Sequence, residues 1–517
     1  MSLALVRGLF GAGLFVLFSH AAQAEVSFDL GIVVEKARKL AEQPYQAPPE
    51  VPQFLQELSY AQYQEIRFKP DLSLWGNSES KFRVMMASPG TYYSHAVAIN
   101  EIDSEGVRPV PFDKSSFNYP NDTLAKRIPA DLGYAGFRLT YPMETATVQN
   151  QFLSFAGASY FRGVGTNNRF GVSARGIAVD TGLRTGEEYP AFIEYWLERP
   201  AANSDSMVVF GLLNGPSVTG AYRFRVFPGE TTRVEVTATL FMRREVGLLG
   251  LAPLTSMFYY GENTPRPHGE WRPQVHDSDG LLINNGVSGE WLWRPLINPH
   301  GLRMSYFQTE DIRGFGLLQR DNDFARFEDL EARYEKRPSA WVETKDNWGK
   351  GEVVLVEIPS RAETNDNIVA FWRPSEPVRA GEDITREYTL HFGDTSITGQ
   401  PSAVAMQTFI GDGNRVGGGN VEGAYRIIVD FAGGRLDALD PQASVVSSAS
   451  GAADVEILEH FVEYSEPDKS WRLSMLVRPA QEALMSVRAY LSMNGEPLTE
   501  TWTYELPPNA GVRGQGR

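Results

Sequence analysis

The sequence predicts an all-β protein with a large N-terminal β-sandwich and a smaller immunoglobulin-like β-sandwich at its C-terminal end. Beyond about residue 65, many segments alternate apolar and polar residues, as strands with one buried face require. Turn residues such as Asn214-Gly215 and Pro228-Gly229 separate these segments, which is typical of antiparallel sheets. The 517 residues are enough for two or more domains of about 100–200 residues each.

The first 24 residues predict a secretory signal peptide. Arg7 precedes the apolar run Leu9–Phe18, and Ala22-Gln23-Ala24 forms a small-x-small cleavage site before Glu25. A membrane anchor is the alternative, but this run is about half of the ~20 residues needed to cross a bilayer. The absence of an Arg-Arg pair from the n-region favours the general secretory route over twin-arginine export. We therefore expect residues 1–24 to be removed and the protein to work in the periplasm of a Gram-negative bacterium.

The composition restricts the partners and the chemistry. The 64 acidic and 48 basic residues give a net charge of −16, which repels nucleic-acid phosphates and anionic lipid. We therefore expect no nucleic-acid partner and no membrane insertion. The chain has no Cys, which excludes disulfides, thiolate ligands and a cysteine nucleophile. Its 7 His lack the H-x-x-x-H spacing of zinc sites, so we expect neither a metal nor a cofactor.

The chain divides into two predicted domains, residues 25–394 and 400–517. The first begins with an amphipathic helix over Phe28–Gln43, which a proline-rich stretch ends. Its later strands include Tyr222–Val226, Val234–Leu240 and Glu387–Phe392, after which a polar linker follows. The strands predicted for the second domain are Tyr425–Phe431, Glu456–Tyr464, Trp471–Val477, Val487–Ser492 and Trp502–Tyr504.

Residues 155–370 combine aromatic, glycine and acidic residues in a way that suits a carbohydrate groove. Sugar rings lie on aromatic faces, and their hydroxyls bond carboxylates, amides and guanidinium groups. Trp291 and Trp293 share one face of a strand, and spacing alone supports a ligand platform and a core position equally. His276 could act as a base or a metal ligand, although a loop histidine with satisfied hydrogen bonds is the simpler interpretation.

Two carboxylates are enough for glycoside hydrolysis, one as general acid and one as base or nucleophile. Asp277, Asp279, Glu363 and Asp366 lie in short polar loops between apolar strands. Spacing alone does not single out a catalytic pair, and for Asp366 it favours a turn-capping role.

Eight strings in the first domain are distinctive. They are GASYFR (157–162), SARGIA (173–178), LTSMF (254–258), HDSDGL (276–281), GEWLWRPL (289–296), RGFGLLQR (313–320), RPSAWV (337–342) and ETNDNIVAFW (363–372). Together they resemble the OpgG/OpgD family of periplasmic glucans biosynthesis proteins, over essentially the whole mature chain. The plain signal peptide favours the OpgG branch, since OpgD relatives use twin-arginine export.

The resemblance implies a large N-terminal sandwich similar to galactose mutarotase-like folds, joined by a short helical connection to an immunoglobulin-like domain. It also implies action on osmoregulated periplasmic glucans, whose backbone is β-1,2-linked glucose, as an inverting endo-β-1,2-glucanase. A membrane glucan synthase is a further partner that such a role suggests.

Motif matching assigns the general acid to Asp366 of ETNDN and the base to Asp277 of the His-Asp-Ser motif. Other residues are expected to bind the substrate, the first three of them by the same matching. The predicted substrate-binding residues are Glu363, Thr364, Tyr334, Trp291, Trp293 and Arg320.

One position departs from the family pattern, because Asn322 stands where the resemblance predicts Arg. The sequence therefore does not predict the hydrogen-bonding partners of the residues around Asn322. Two functions remain open as well: a glucan-cleaving enzyme, and a non-catalytic binding or assembly factor that uses the same groove and contacts a synthase. A lyase is a third, suggested only by the sandwich shape.

Overall fold

The computed structural model describes residues 28–415, 417–452, 455–479 and 485–506. The predicted signal peptide, residues 1–24, lies outside these ranges. Within them, the prediction of an all-β protein with a large first sandwich and a smaller second one is confirmed. No helix in the described ranges is long and apolar enough to cross a membrane.

The helices are short. The α-helices are α1 (Leu30–Ala41), α2 (Gln53–Gln56), α3 (Tyr60–Gln64) and α4 (Asp122–Arg127). The 3₁₀ helices are Pro70–Leu72, Lys114–Ser116, Phe324–Arg326, Tyr334–Lys336, Thr395–Thr398 and Leu436–Ala438. The predicted N-terminal helix is confirmed as α1, which begins where the Asp29 side chain accepts a hydrogen bond from Ile32 N. It buries Val33 and Ala37 in a small apolar cluster with Phe241.

Twenty-five strands precede residue 394 in the described ranges. They are β1 (Arg67–Phe68), β2 (Arg83–Ala87), β3 (Ala98–Asp103), β4 (Gly106–Pro109), β5 (Phe117–Asn118), β6 (Gly136–Tyr141), β7 (Asn150–Ala156), β8 (Tyr160–Gly163), β9 (Ser173–Arg175), β10 (Ile177–Val179), β11 (Ala191–Glu198), β12 (Met207–Asn214), β13 (Val218–Phe227), β14 (Thr232–Met242), β15 (Leu249–Ser256), β16 (Phe258–Tyr260), β17 (Val275–His276), β18 (Gly280–Asn285), β19 (Trp291–Pro295), β20 (Arg303–Thr309), β21 (Ile312–Leu318), β22 (Ser339–Thr344), β23 (Gly351–Glu357), β24 (Ile368–Pro374) and β25 (Asp383–Gly393).

Eight more strands follow. They are β26 (Val404–Asn414), β27 (Asn420–Ala432), β28 (Val446–Gly451), β29 (Val455–Ser465), β30 (Ser470–Pro479), β31 (Met485–Met493), β32 (Glu496–Pro497) and β33 (Thr501–Leu506).

Two large sheets face each other in the first sandwich. One has the strand order β2-β6-β7-β8-β9-β15-β24-β23-β20, with β10 beside β15. The other runs β28-β31-β33-β19-β18-β21-β22-β25-β14-β13-β12-β11-β3-β4, with β32 beside β31. Phe155 and Phe161 of the first sheet contact Phe224 of the second, with ring centroids 5.1 and 5.3 Å apart. These aromatic contacts lie in one large apolar core.

The second sandwich lies at the C-terminal end. Its four-stranded sheet β26-β27-β30-β29 packs on the end of the larger sheet formed by β28, β31 and β33. Val429 and Leu473 from one side share a core with Ala489 and Trp502 from the other. Every strand predicted for residues 425–504 falls within an observed strand.

The large sheet is continuous between the two sandwiches. Strands β19 and β33 pair in parallel, with Leu292 opposite Thr501 and Trp293 opposite Trp502. The sequence rhythm implied antiparallel sheets, and this expectation is wrong at β19–β33 and at β3–β11. Each of these pairs joins strands that are distant in the sequence, so no tight turn fixes their relative direction.

A buried ion pair crosses the first sandwich, and its removal should be costly. Arg294 on β19 and Glu357 on β23 are both fully buried, with Arg294 Nη2 3.1 Å from Glu357 Oε2. We expect Glu357→Ala to lower the free energy of unfolding by about 3–5 kcal/mol, because it leaves a buried charge unpaired. Urea denaturation measures the loss. Glu310→Ala, which breaks the exposed Lys350–Glu310 pair, is the control and should cost less than about 1 kcal/mol.

Candidate active site

Two loops bring the predicted catalytic carboxylates into one region. Asp277 lies between β17 and β18, and Asp366 lies between β23 and β24. Asn367, next to Asp366, donates to Phe258 O and accepts from Phe258 N, both at 2.9 Å. Phe258 in turn pairs with His276, the residue before Asp277. The ETNDN and HDSDG segments are therefore joined through β16, although they are far apart in the sequence.

Asp277 is buried and electrostatically coupled to its neighbours. The pKa of Asp277 is raised to about 6, chiefly by burial; the charge of Arg337 opposes the increase, the charge of Asp366 adds to it, and the charge of Arg162 also opposes it. Arg337 Nε lies 3.1 Å from Asp277 Oδ1, and the aspartate side chain remains 12% exposed. This carboxyl is therefore mostly ionised at neutral pH and is not sealed from solvent.

Asp366 is more open. Its side chain is 34% exposed, and Arg162 Nη2 lies 3.5 Å from Asp366 Oδ2. Because Arg162 also influences the pKa of Asp277, its guanidinium lies close enough to both aspartates to stabilise their negative charges.

Asp366 lines a cleft of about 710 Å³, a size typical of small-molecule and oligosaccharide sites. The cleft has aromatic walls and several hydrogen-bonding side chains. Its aromatic residues are Tyr92, Tyr93, Tyr160, Phe161 and Phe170, and its polar residues are Gln64, Arg138, Gln151, Ser154, Arg162 and Asp366. Tyr92 is 90% exposed, so a ligand could cover its ring.

A second cavity of about 350 Å³ extends the cleft. The two share Gln64, Ala87 and Arg138. Arg67 and Phe68 also line the second cavity. The groove therefore has length beyond the space next to Asp366.

Three of the predicted substrate-binding residues lie with the aspartates. Glu363 Oε2 is 2.6 Å from Arg272 Nη1, and Thr364 is exposed in the same loop. Burial raises the pKa of Tyr334, and the charges of Glu363 and Asp277 add to the increase. The Tyr334 phenol therefore stays protonated and available as a hydrogen-bond donor near both carboxylates.

The structure places the other three elsewhere, and none of the six is among the residues that line the cleft. Trp293 is 3% exposed and lies under the Arg320 guanidinium, 3.5 Å from its ring centroid. Arg320 forms an ion pair with Glu500 of the second sandwich, and Trp291 stacks on Trp341 at 5.6 Å. Trp293 therefore occupies a core position, one of the two alternatives that the sequence left open. A substrate-binding role for Trp291, Trp293 and Arg320 stays a prediction, because none of them lines the cleft.

His276 and Asn322 have different surroundings. His276 is fully buried, and burial lowers its pKa to about 4. Its Nδ1 and Nε2 lie 2.9 Å from the side-chain oxygens of Gln319 and Gln274, and the single N–H of a neutral imidazole donates to one of them. His276 lies on β17 and not in the loop that the sequence suggested. Asn322 is exposed, whereas its neighbour Asp321 accepts a hydrogen bond from Gln274.

Sequence reasoning did not single out the arginines of the site. Arg162 and Arg337 lie in GASYFR and RPSAWV, two of the distinctive strings, but nothing in their spacing showed that each would contact an aspartate. Gly171 was missed as well. A Cβ on Gly171 would lie 2.9 Å from Arg337 Cδ and 3.3 Å from Asp277 Cγ, so only glycine leaves room for this ion pair.

Comparison with known proteins decides the family. The family described as "Periplasmic glucan biosynthesis protein, MdoG" matches residues 28–506. The chain belongs to the MdoG family. The resemblance inferred from the motifs is thereby confirmed.

Relatives in the MdoG family match at nearly full length. "Glucans biosynthesis protein G" of Ralstonia nicotianae is 43% identical and aligns over 96% of this chain and 99% of its own. The protein of the same name from Dickeya dadantii is 42% identical over 96% of each chain. A galactose mutarotase related enzyme from Lactobacillus acidophilus aligns with 47% of this chain and 97% of its own, at 8% identity and a TM-score of 0.21. That likeness is too weak to support any argument.

The hydrogen bonds of Asn367 predict that this side chain maintains the site. Asn367→Ala leaves the N–H and C=O of Phe258 and the C=O of Ile358 without their partner. We expect a loss of at least about 2 kcal/mol of unfolding free energy, because each unpaired buried group costs ~1–3 kcal/mol. Amide hydrogen exchange in residues 359–367 should also accelerate. Asn365→Ala, at an exposed position two residues away, should change neither; equal effects of both variants would contradict the role of Asn367.

Proposed function

We propose that this MdoG-family protein takes part in periplasmic glucan biosynthesis and acts on the β-1,2-glucan backbone as an inverting endo-β-1,2-glucanase. The family description and the names of the relatives suggest the glucan. The observation that supports hydrolysis is the pair of aspartates from two distant loops, which lie close enough to interact electrostatically and one of which, Asp366, lines an aromatic cleft.

The proposed reaction is a single displacement. Asp366 gives its proton to the glycosidic oxygen as the bond from that oxygen to the anomeric carbon breaks. A water attacks the anomeric carbon from the opposite face and gives a proton to Asp277. Inverting chemistry of this kind needs about 6.5–9.5 Å between the carboxyl groups, with room for the water.

The environment of Asp277 suits the base. Its pKa of about 6 keeps it ionised at neutral pH while leaving it basic enough to accept a proton. Tyr334, protonated and close to Asp277 and Glu363, is placed to donate a hydrogen bond to the attacking water or to a sugar hydroxyl.

The shape of the cleft suits an internal cut. A polymer can lie along the groove beyond Asp366, with its apolar ring faces on Tyr92, Tyr93 and Tyr160. The continuation past Arg138 toward Arg67 adds room for further sugars. We therefore propose attack within the chain, in the periplasm, with a membrane glucan synthase as the source of the polymer.

One observation favours the alternative of a non-catalytic glucan-binding or assembly factor. Each aspartate already has an arginine partner, Arg162 for Asp366 and Arg337 for Asp277, so each carboxylate has a role in an ion pair that requires no reaction. A binding protein would use the same cleft but release no products. Product analysis therefore distinguishes the two functions.

Loss of the acid should stop cleavage without loss of the fold. We expect Asp366→Asn to reduce the release of reducing ends from linear β-1,2-glucan by at least about 100-fold, since general acid catalysis contributes ~10²–10⁴-fold. Circular dichroism should show an unchanged fold. Asp383→Asn, an exposed aspartate on β25, is the matched control and should keep full activity. A well-folded Asp366→Asn protein with the activity of the unmodified one would refute the assignment.

The base predicts a specific pH profile. Because Asp277 must be ionised and its pKa is raised to about 6, kcat/KM should fall about tenfold per pH unit below that value. Arg337→Gln removes a charge that lowers this pKa, so the acidic limb of the profile should move to higher pH. Lys336→Gln removes the same charge one residue away and should leave the limb in place. An acidic limb that does not move in Arg337→Gln would argue against Asp277 as the base.

A further inference from the structure

The catalytic segment is held by three consecutive residues that follow β21. Gln319 Nε2 donates to His276 O and to Tyr334 O, both at 3.1 Å. The main-chain N–H of Arg320 donates to Asp279 Oδ2 at 3.0 Å. His276, one residue before Asp277, and Asp279, two residues after it, are thus both hydrogen-bonded to the segment Gln319–Asp321.

Asp321 is connected to His276 through the side chain of Gln274. Its Oδ2 accepts a hydrogen bond from Gln274 Nε2 at 2.8 Å. The oxygen of the same Gln274 amide lies 2.9 Å from His276 Nε2, and the Gln319 amide oxygen lies 2.9 Å from His276 Nδ1. The His276 ring therefore lies between the side-chain amides of Gln274 and Gln319, and its single N–H donates to one of the two oxygens.

The Arg320 side chain connects this segment to the second sandwich. Its Nη1 and Nη2 lie 2.5 and 2.9 Å from the two oxygens of Glu500. Glu500 also accepts from Ala405 N at 2.8 Å and from Gln400 Nε2 at 2.6 Å. Glu500 is 2% exposed, and both of its carboxylate oxygens accept hydrogen bonds. These bonds hold the Arg320 and Glu500 side chains in a single relative orientation.

Stability alone is a weak reason for such a pair. A buried ion pair gains little over apolar residues of the same volume, because removing two charges from water offsets their attraction. A bidentate arginine–carboxylate contact fixes the relative orientation of the two side chains. Here the fixed orientation of Arg320 restrains the segment Gln319–Asp321, which is hydrogen-bonded to His276, Asp279 and Tyr334.

We propose that Glu500 of the second sandwich is a positioning residue for the catalytic base, acting through Arg320 and the segment Gln319–Asp321. The second sandwich is then part of the catalytic apparatus rather than only a binding module beside it. This inference rests on the proposed hydrolase function. It assigns Arg320 a role through contacts within the protein instead of the contact with substrate that the sequence suggested.

The test compares three variants of the full chain. Glu500→Gln keeps the shape but removes the charge. The double variant Arg320→Met/Glu500→Leu removes both charges, so it tests positioning even if an unpaired buried arginine unfolds the single variant. Thr408→Val removes the Trp502–Thr408 hydrogen bond of the second sandwich, which does not involve the segment 319–321, and is the control. For each, kcat and KM on linear β-1,2-glucan, the thermal midpoint and hydrogen exchange over residues 274–280 are measured.

We expect kcat to fall by about tenfold to 100-fold in Glu500→Gln and in the double variant, since small displacements of a catalytic group have effects of this size. KM should change less than about twofold, and exchange over residues 274–280 should accelerate. Thr408→Val should leave kcat and this exchange unchanged. Unchanged kcat and exchange in both test variants, with only the thermal midpoint lowered, would overturn the proposal. If the unmodified protein cleaves no glucan, the hydrolase function fails, and the exchange measurement still decides whether Glu500 orders the segment.

Discussion

The site depends on the two-way hydrogen bonding between Asn367 and the backbone of Phe258. These bonds satisfy both polar groups of one residue in β16, and β16 pairs with the short strand that ends at His276. The position of Asp366 is set by its neighbour Asn367, and the position of Asp277 is set by its neighbour His276. Two carboxylates from distant parts of the chain thereby reach one place without any direct contact between their side chains. The burial of Asp277, its raised pKa and the cleft next to Asp366 all depend on this arrangement.

The arginines resolve an apparent conflict in the charge of the molecule. A chain with a net charge of −16 gathers three carboxylates at one site, where their negative charges repel one another. Each carboxylate has an arginine partner: Arg162 at Asp366, Arg337 at Asp277, and at Glu363 the arginine Arg272, which also pairs with Glu270 and Asp329. These contacts let the carboxylates remain close together. They also set the balance between burial and attraction that leaves the pKa of Asp277 at about 6.

Local patterns in the sequence predicted the strands and the first helix well, because period-two alternation and a proline stop depend on neighbouring residues only. They could not predict that β19 and β33 pair in parallel, because that pairing depends on how the two sandwiches meet. The motif resemblance supplied Asp277, Asp366, Glu363 and Tyr334, which spacing alone could not. It could not show that Trp293 and Arg320 lie between the sandwiches, because an arginine that binds a sugar and one that binds a buried glutamate have the same local sequence.

The most direct test of the account is the crystal structure of Asp366→Asn with a linear β-1,2-glucan oligosaccharide. The account predicts that the sugar chain lies along the cleft past Tyr92 and Tyr160, with residue 366 within hydrogen-bond distance of one glycosidic oxygen. It also predicts a water between Asp277 and the anomeric carbon of that linkage. A glucan bound with its linkages out of reach of both residues would contradict the proposed hydrolysis.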